Sequence, residues 1–135
     1  LKPLLNKNIK KALILGTGGA SKAIAYALQQ LQIESVFVSR NPDFNELSYN
    51  DLDEDIMHSY PLLINCTPLG THPNVHNYPN IPYEYISKNH VLYDLIYNPS
   101  ETTFMKKGKE NGATVSNGLQ MLTLQAERAW EIWNS

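Results

Sequence analysis

The sequence predicts an α/β fold in which helices cover both faces of a mostly parallel, doubly wound sheet, and three observations carry the prediction. The apolar run Lys11-Ala12-Leu13-Ile14-Leu15 breaks into a glycine cluster with a helix-forming sequence directly behind it. A second apolar run, Ser35-Val36-Phe37-Val38-Ser39, returns after that helix, which is the spacing of a strand–helix–strand crossover. Further short apolar runs at 62–66 and 90–95 alternate with polar and helical stretches rather than following one another as hairpins.

Taken in order, the first strand spans 11–15 and the first helix runs from about Gly19 to Leu31. Ala20, Ala23, Ile24, Ala27, Leu28 and Leu31 recur there at helical spacing. The second strand, 35–39, is ended by a polar triplet and Pro42. The stretch 47–59 is acidic and reads as a surface segment with a short helix. Its Asp51, Asp53, Glu54 and Asp55 read as a solvated face rather than a metal site. The third strand is Leu62-Leu63-Ile64-Asn65-Cys66. From Thr67 to Tyr83 the chain is rich in proline, asparagine and histidine, as expected of a loop at the carboxyl edge of the sheet. His72 and His76 have the i, i+4 spacing of a helical zinc pair, but Pro73 between them breaks such a helix and no Glu follows His72, so no metal is expected. The fourth strand covers 90–95. Asn98-Pro99-Ser100 leads into a helix stopping near Asn111-Gly112, a fifth strand covers 113–116, and a final helix covers about 119–133.

The glycine cluster points to chemistry. In Gly16-Thr17-Gly18-Gly19-Ala20-Ser21 the first glycine lets the backbone turn off the strand, and the next leaves room for a phosphate against the chain. The helix behind then aims its unpaired N–H groups and positive dipole end at the anion. This is a variant of the pyrophosphate-binding fingerprint of Rossmann-like domains, with Ser21 where Gly or Ala is usual. A carboxylate about 20 residues past the glycines would bond the ribose 2′-hydroxyl of NAD. That place holds Ser39, Arg40 and Asn41 instead. A guanidinium pairs with a 2′-phosphate through charged, fork-like hydrogen bonds, so the residues favour NADP(H).

Composition sets the remaining bounds. A chain of 135 residues with 42% hydrophobic and 18% charged residues builds one core and reads as one domain, 1–135. A net charge of −2 lacks the basic surplus of a nucleic-acid binder. No apolar run approaches the roughly 20 residues that cross a bilayer, and the first eleven residues do not read as a signal peptide. The single cysteine, Cys66, precludes an internal disulfide, fits a reducing cytoplasm and reads as a small core residue. The chain opens without Met on apolar residues that read as the end of an upstream helix. Its last helix is apolar on more than one stripe, with Leu119, Leu122, Leu124, Trp130, Ile132 and Trp133. Both features read as a fragment lacking a partner domain.

Several segments occur together in the order and spacing of one family. They are the glycine loop, Ser39-Arg40-Asn41, Asn65-Cys66-Thr67-Pro68-Leu69-Gly70, Tyr93-Asp94-Leu95-Ile96-Tyr97-Asn98-Pro99, and the run from Asn117-Gly118-Leu119 to Gln125-Ala126. In these the chain resembles the carboxyl-terminal, NADP-binding half of shikimate dehydrogenase along essentially its whole length. The resemblance implies an oxidoreductase that reduces 3-dehydroshikimate to shikimate with NADPH in aromatic amino-acid (chorismate) biosynthesis. It places Gly16, Thr17, Gly18, Gly19, Ala20 and Ser21 around the pyrophosphate and Ser39, Arg40 and Asn41 at the 2′-phosphate. It puts Thr67 under the cofactor, Leu95 and Gly118 beside the nicotinamide, and Tyr97 and Gln125 toward the substrate.

Two departures qualify what is implied. The family carries a second arginine where this chain has Phe44, so one phosphate clamp is absent. Its catalytic Lys and Asp belong to an amino-terminal domain that this sequence does not contain, so no catalytic residue is expected here and the fragment alone is expected to be inactive. In the family the segment 119–135 packs on that domain, which makes self-association through the terminal helix a further expectation. The alternatives are an NAD-preferring quinate/shikimate dehydrogenase and a stand-alone dinucleotide-binding regulatory module.

Overall fold

The structure is a computed structural model that describes residues 9–16, 18–67, 69, 76–95 and 101–117. Six strands form one sheet: β1 Lys11–Leu15, β2 Glu34–Ser39, β3 Leu47–Ser48, β4 Leu62–Asn65, β5 Val91–Asp94 and β6 Thr114–Asn117. Every pairing is parallel and the order is β3-β2-β1-β4-β5-β6. This is the strand order of a doubly wound dinucleotide-binding sheet, whose direction of winding reverses between β1 and β4. Three helices connect the strands: α1 Gly19–Gln30, α2 Glu54–Ser59 and α3 Thr103–Glu110.

Alternation along the strands builds a core on each face. Ala12 and Ile14 of β1, Leu62 and Ile64 of β4, and Val91 and Tyr93 of β5 join Ile24 and Leu28 of α1. Leu13 and Leu15, Leu63 and Leu92 point the other way, against Met57 of α2 and Phe104 and Met105 of α3. Side chains buried to this degree contribute about 1.5–3 kcal/mol each, so the two layers hold the sheet rigid under any site at its edge. Gly108 of α3 permits the close approach on the second face: a Cβ there would lie 2.5 Å from Cδ2 of the fully buried Leu92.

Among the described residues the expected elements occur with small shifts of their ends, and one was missed. β3 is only two residues long and lies in the segment expected to be a surface stretch. It forms because the outer edge of β2 is open to pairing, with Val38 opposite Leu47, and Leu47 packs against the second core. A 3-10 turn over Tyr49–Asp51 follows, closed by Ser48 and Asp51 in a reciprocal capping box. The helix expected after Asn98-Pro99-Ser100 begins at Thr103, because the Thr102 side chain accepts from the Met105 N–H and fixes the start. The expected terminal helix at 119–133 lies outside the described residues.

His90 ties the two ends of the second layer together. Its Nε2 lies 2.8 Å from the Met57 carbonyl and Nδ1 lies 3.1 Å from the Ser87 N–H, so the ring donates to one and accepts from the other as neutral imidazole. Burial pushes its pKa down, against an upward pull from the bond to the Met57 carbonyl.

Candidate cofactor site

The carboxyl ends of β1 and β4 meet at the point where the sheet changes direction. Gly16 leaves β1 with φ +106, its N–H donating to the Val38 carbonyl at 2.9 Å. A Cβ at Gly16 would lie 3.3 Å from Thr67 Cγ2 and 3.4 Å from the Cys66 backbone. Both the backbone conformation and the neighbouring strand therefore require glycine there.

Gly18 and Gly19 differ. Gly18 is the N-cap of α1 at φ −73, which any residue adopts, and neither glycine has an atom within 4 Å of where its Cβ would stand. Among the described residues nothing demands glycine at either position, and the open space over both leaves room for a phosphate. The helix end agrees. Asp53 caps α2 and Thr102 caps α3, but α1 has no side-chain cap and no acidic residue in its first turn. The Ser21 and Lys22 N–H groups donate to the Gly18 carbonyl, while the Gly19 and Ala20 N–H groups and the positive dipole end can take an anion.

These residues open onto a cleft of about 680 Å³, the size of a cofactor site. Gly16, Gly18, Ser39, Arg40, Asn41 and Thr67 all line it, so six residues chosen from sequence come together in one place. Gly19 and Ala20 are exposed in the first turn of α1 beside it. Ser21 is fully buried and its hydroxyl donates to the Gly18 carbonyl, so it fixes the helix start against the sheet. Leu95 is partly buried and packs against the first core. Thr17, Tyr97, Gly118 and Gln125 lie outside the described residues.

At the end of β2 the Ser39 hydroxyl accepts the Asn41 N–H at 3.1 Å, which leaves its own proton to donate. Arg40 is exposed beside it. Phe44, in the place of the second clamp, is 91% exposed. Tyr49, Tyr78 and Asn80 complete the wall and were not singled out from the sequence. They come from separate segments, and only the assembled fold brings them to Arg40. Burial raises the Tyr49 phenol, and the Arg40 charge partly lowers it.

The floor is a buried polar network that sequence reasoning also missed. Thr67 donates its hydroxyl to Asn65 Oδ1 at 2.6 Å and its N–H to the same atom at 3.0 Å. Asn65 Nδ2 donates to Asp94 Oδ1 at 3.2 Å, and the Thr102 hydroxyl donates to Asp94 Oδ2 at 2.6 Å. Asn65, Asp94 and Thr102 are each buried completely. The network locks the loop under the cleft to β5 and to the start of α3, so Thr67 is held rather than adaptable. Cys66 beside it is an inert thiol, pushed up to about 12 by burial and then by Asp94. Among the described residues no three His, Cys, Asp or Glu side chains gather as a metal site, and no helix is long and apolar enough to cross a membrane.

Fold and cleft together define a Rossmann-like dinucleotide-binding domain, with a glycine cradle, an uncapped helix end and a basic residue at the ribose position. No protein-family model matches the chain. Its curated relatives are NADP-dependent shikimate dehydrogenases. That of Clostridium botulinum (strain Hall) is 41% identical over 131 residues, covering 91% of this chain and 50% of the relative. Among solved structures, a chorismate mutase/shikimate 5-dehydrogenase fusion protein from Clostridium acetobutylicum superposes with a TM-score of 0.73 at 34% identity, covering 95% of this chain and 50% of that one. The Thermus thermophilus shikimate 5-dehydrogenase in complex with NADP(H) and shikimate gives a TM-score of 0.69 at 30% identity, covering 90% and 48%. The resemblance to shikimate dehydrogenase therefore extends along nearly all of this chain, which spans about half the length of the curated relatives it matches.

Proposed function

We propose that this chain is the NADP(H)-binding half of a shikimate dehydrogenase that reduces 3-dehydroshikimate to shikimate in the cytoplasm, within aromatic amino-acid biosynthesis. The observation that carries the reading is the pair Gly18 and Gly19, whose missing Cβ atoms no contact among the described residues explains. The α1 N-terminus and the backbone of residues 16–20 hold the pyrophosphate, with Ser21 anchoring the helix start. Ser39, Arg40 and Asn41 hold the adenosine 2′-phosphate, and Thr67 lies under the cofactor on its hydrogen-bonded floor. Leu95 and Gly118 border the nicotinamide, and Tyr97 and Gln125 reach the substrate. When bound, the cofactor supplies the hydride for the substrate carbonyl.

The proton donor belongs to a second domain outside this sequence, against which the segment 119–135 packs. The purified 135-residue chain therefore binds NADPH but does not oxidise shikimate above background, and sedimentation at micromolar concentration shows it self-associating through that segment. NADP-dependent turnover by this chain alone would overturn the division of labour. Failure to bind NADPH would overturn the cofactor reading and favour a different role for the fold. A second reading, an NAD-preferring quinate/shikimate dehydrogenase, draws support from the exposed Phe44 and is opposed by Arg40.

A further inference from the structure

The outer wall of the cleft is built from an unusual latch. Lys107 of α3 places its Nζ 4.6 Å from the centre of the Tyr78 ring and 5.4 Å from that of Tyr83. The two rings meet edge to face at 5.8 Å, and Tyr83 meets the fully buried Phe104 in the same way at 6.5 Å. The Tyr83 hydroxyl donates to the Pro79 carbonyl at 2.6 Å, which pins the backbone next to Tyr78. Tyr78 is thus held from the core outward through Phe104, Tyr83 and Lys107. It still remains 40% exposed, with ring surface lining the same cleft as Arg40 and Tyr49. A tyrosine held in this way, with a cation already on its ring, offers a flat surface at little further entropic cost.

We propose that Tyr78 is the stacking wall for the adenine base at the Arg40 end of the cleft, and that Lys107 is the positioning residue that holds its ring there. The proposal rests on the cofactor reading above, and it assigns the selection of a purine base to residues far from the glycine loop in sequence. Tyr78 and Tyr49 line one cleft with Ser39, Arg40 and Asn41, the residues read as holding the adenosine 2′-phosphate.

The test measures binding of 2′,5′-ADP and of NADP+ to the 135-residue chain by calorimetry, with the ligand-free unfolding midpoint recorded for every variant. Tyr78→Ala weakens both ligands by the same factor, about five- to tenfold, and Tyr78→Phe stays within about twofold of the unmutated chain. Lys107→Met weakens both about two- to fourfold, and Lys107→Arg, which keeps the cation over the ring, restores them. Tyr78→Leu keeps the bulk without the π-face and serves if the alanine variant is poorly folded, with the same loss expected. Unchanged 2′,5′-ADP affinity in Tyr78→Ala or Tyr78→Leu, or a loss confined to NADP+, overturns the inference while leaving the cofactor reading intact. A loss in Lys107→Met that Lys107→Arg does not restore, or that only tracks a lowered unfolding midpoint, overturns the role of Lys107. An unmutated chain that binds neither ligand overturns the cofactor reading and this inference together.

Discussion

Arg40→Ala should remove most of the discrimination between NADP+ and NAD+. A charge-assisted contact to a phosphate contributes about 1.5–3 kcal/mol. Arg40 is exposed at the cleft rim, where water screens it, so the lower end applies. Among the described residues lining the cleft Arg40 is the one cation, and Phe44, in the place of a second, is 91% exposed. About 1.4 kcal/mol corresponds to a tenfold preference for NADP+ in the unmutated chain. The Ser39 hydroxyl retains its proton to donate, so in Arg40→Ala a residual preference of about two- to threefold remains. Calorimetric titration of both cofactors, at low salt and near 1 M, gives the numbers. The preference should shrink with salt, since the screening length falls from about 10 Å at 0.1 M to about 3 Å at 1 M. Equal affinities for NADP+ and NAD+ in the unmutated chain at low salt would refute the reasoning and leave Arg40 a surface charge.

Four further outcomes follow from the geometry. Gly18→Ala should move the unfolding midpoint by no more than the equivalent of about 1 kcal/mol, because its φ of −73 suits alanine while alanine is the poorer N-cap, yet it should weaken NADP+ severely. Gly16→Ala should instead destabilise the fold by about 1–3 kcal/mol, given its φ of +106 and the 3.3 Å approach of Thr67. Paired thermal and binding measurements check both. Thr102→Val removes the cap of α3 and one donor to buried Asp94, and should cost about 2–4 kcal/mol in denaturant unfolding. An unchanged midpoint would show that the network is not held by Thr102. His90 is kept neutral by burial, so its folded pKa lies below the unfolded value near 6.5. The unfolded chain then binds the extra proton first, and stability that is full above about pH 6.5 declines as the pH falls through the folded value. His90→Asn should flatten that acid limb, at about 1.4 kcal/mol per pH unit at most. A limb of equal slope in the variant would assign it to other groups.

The fold was legible wherever a physical signal is local. Buried parallel strands read as continuous apolar runs, and a glycine cluster between a strand and a helix is a short-range pattern. β1 and the start of α1 accordingly fall where expected, at Lys11 and Gly19. β3 was not legible because two residues carry no periodicity, and its pairing depends on the open edge of β2. The same limit divides the site. Gly16, Gly18, Ser39, Arg40, Asn41 and Thr67 are readable because their chemistry sits in two short motifs and a strand end. Tyr49, Tyr78, Asn80 and the Asn65–Asp94–Thr102 network join that site only through contacts distant in sequence. Ser21 is readable from its place in the motif, and the fold adds that it is buried with its hydroxyl donating to the Gly18 carbonyl.

NADP+ should bind across the uncapped end of α1 and the carboxyl end of β2. Titrating the isotopically labelled chain and following backbone amide resonances would locate it. The largest shifts should fall on Gly18, Gly19 and Ala20 at the uncapped end of α1 and on Ser39, Arg40, Asn41 and Thr67, with the α2 region of Glu54–Ser59 unmoved. Saturating NADP+ that leaves the amides of Gly18 to Ala20 unshifted would contradict the claim that this glycine cradle is a cofactor site.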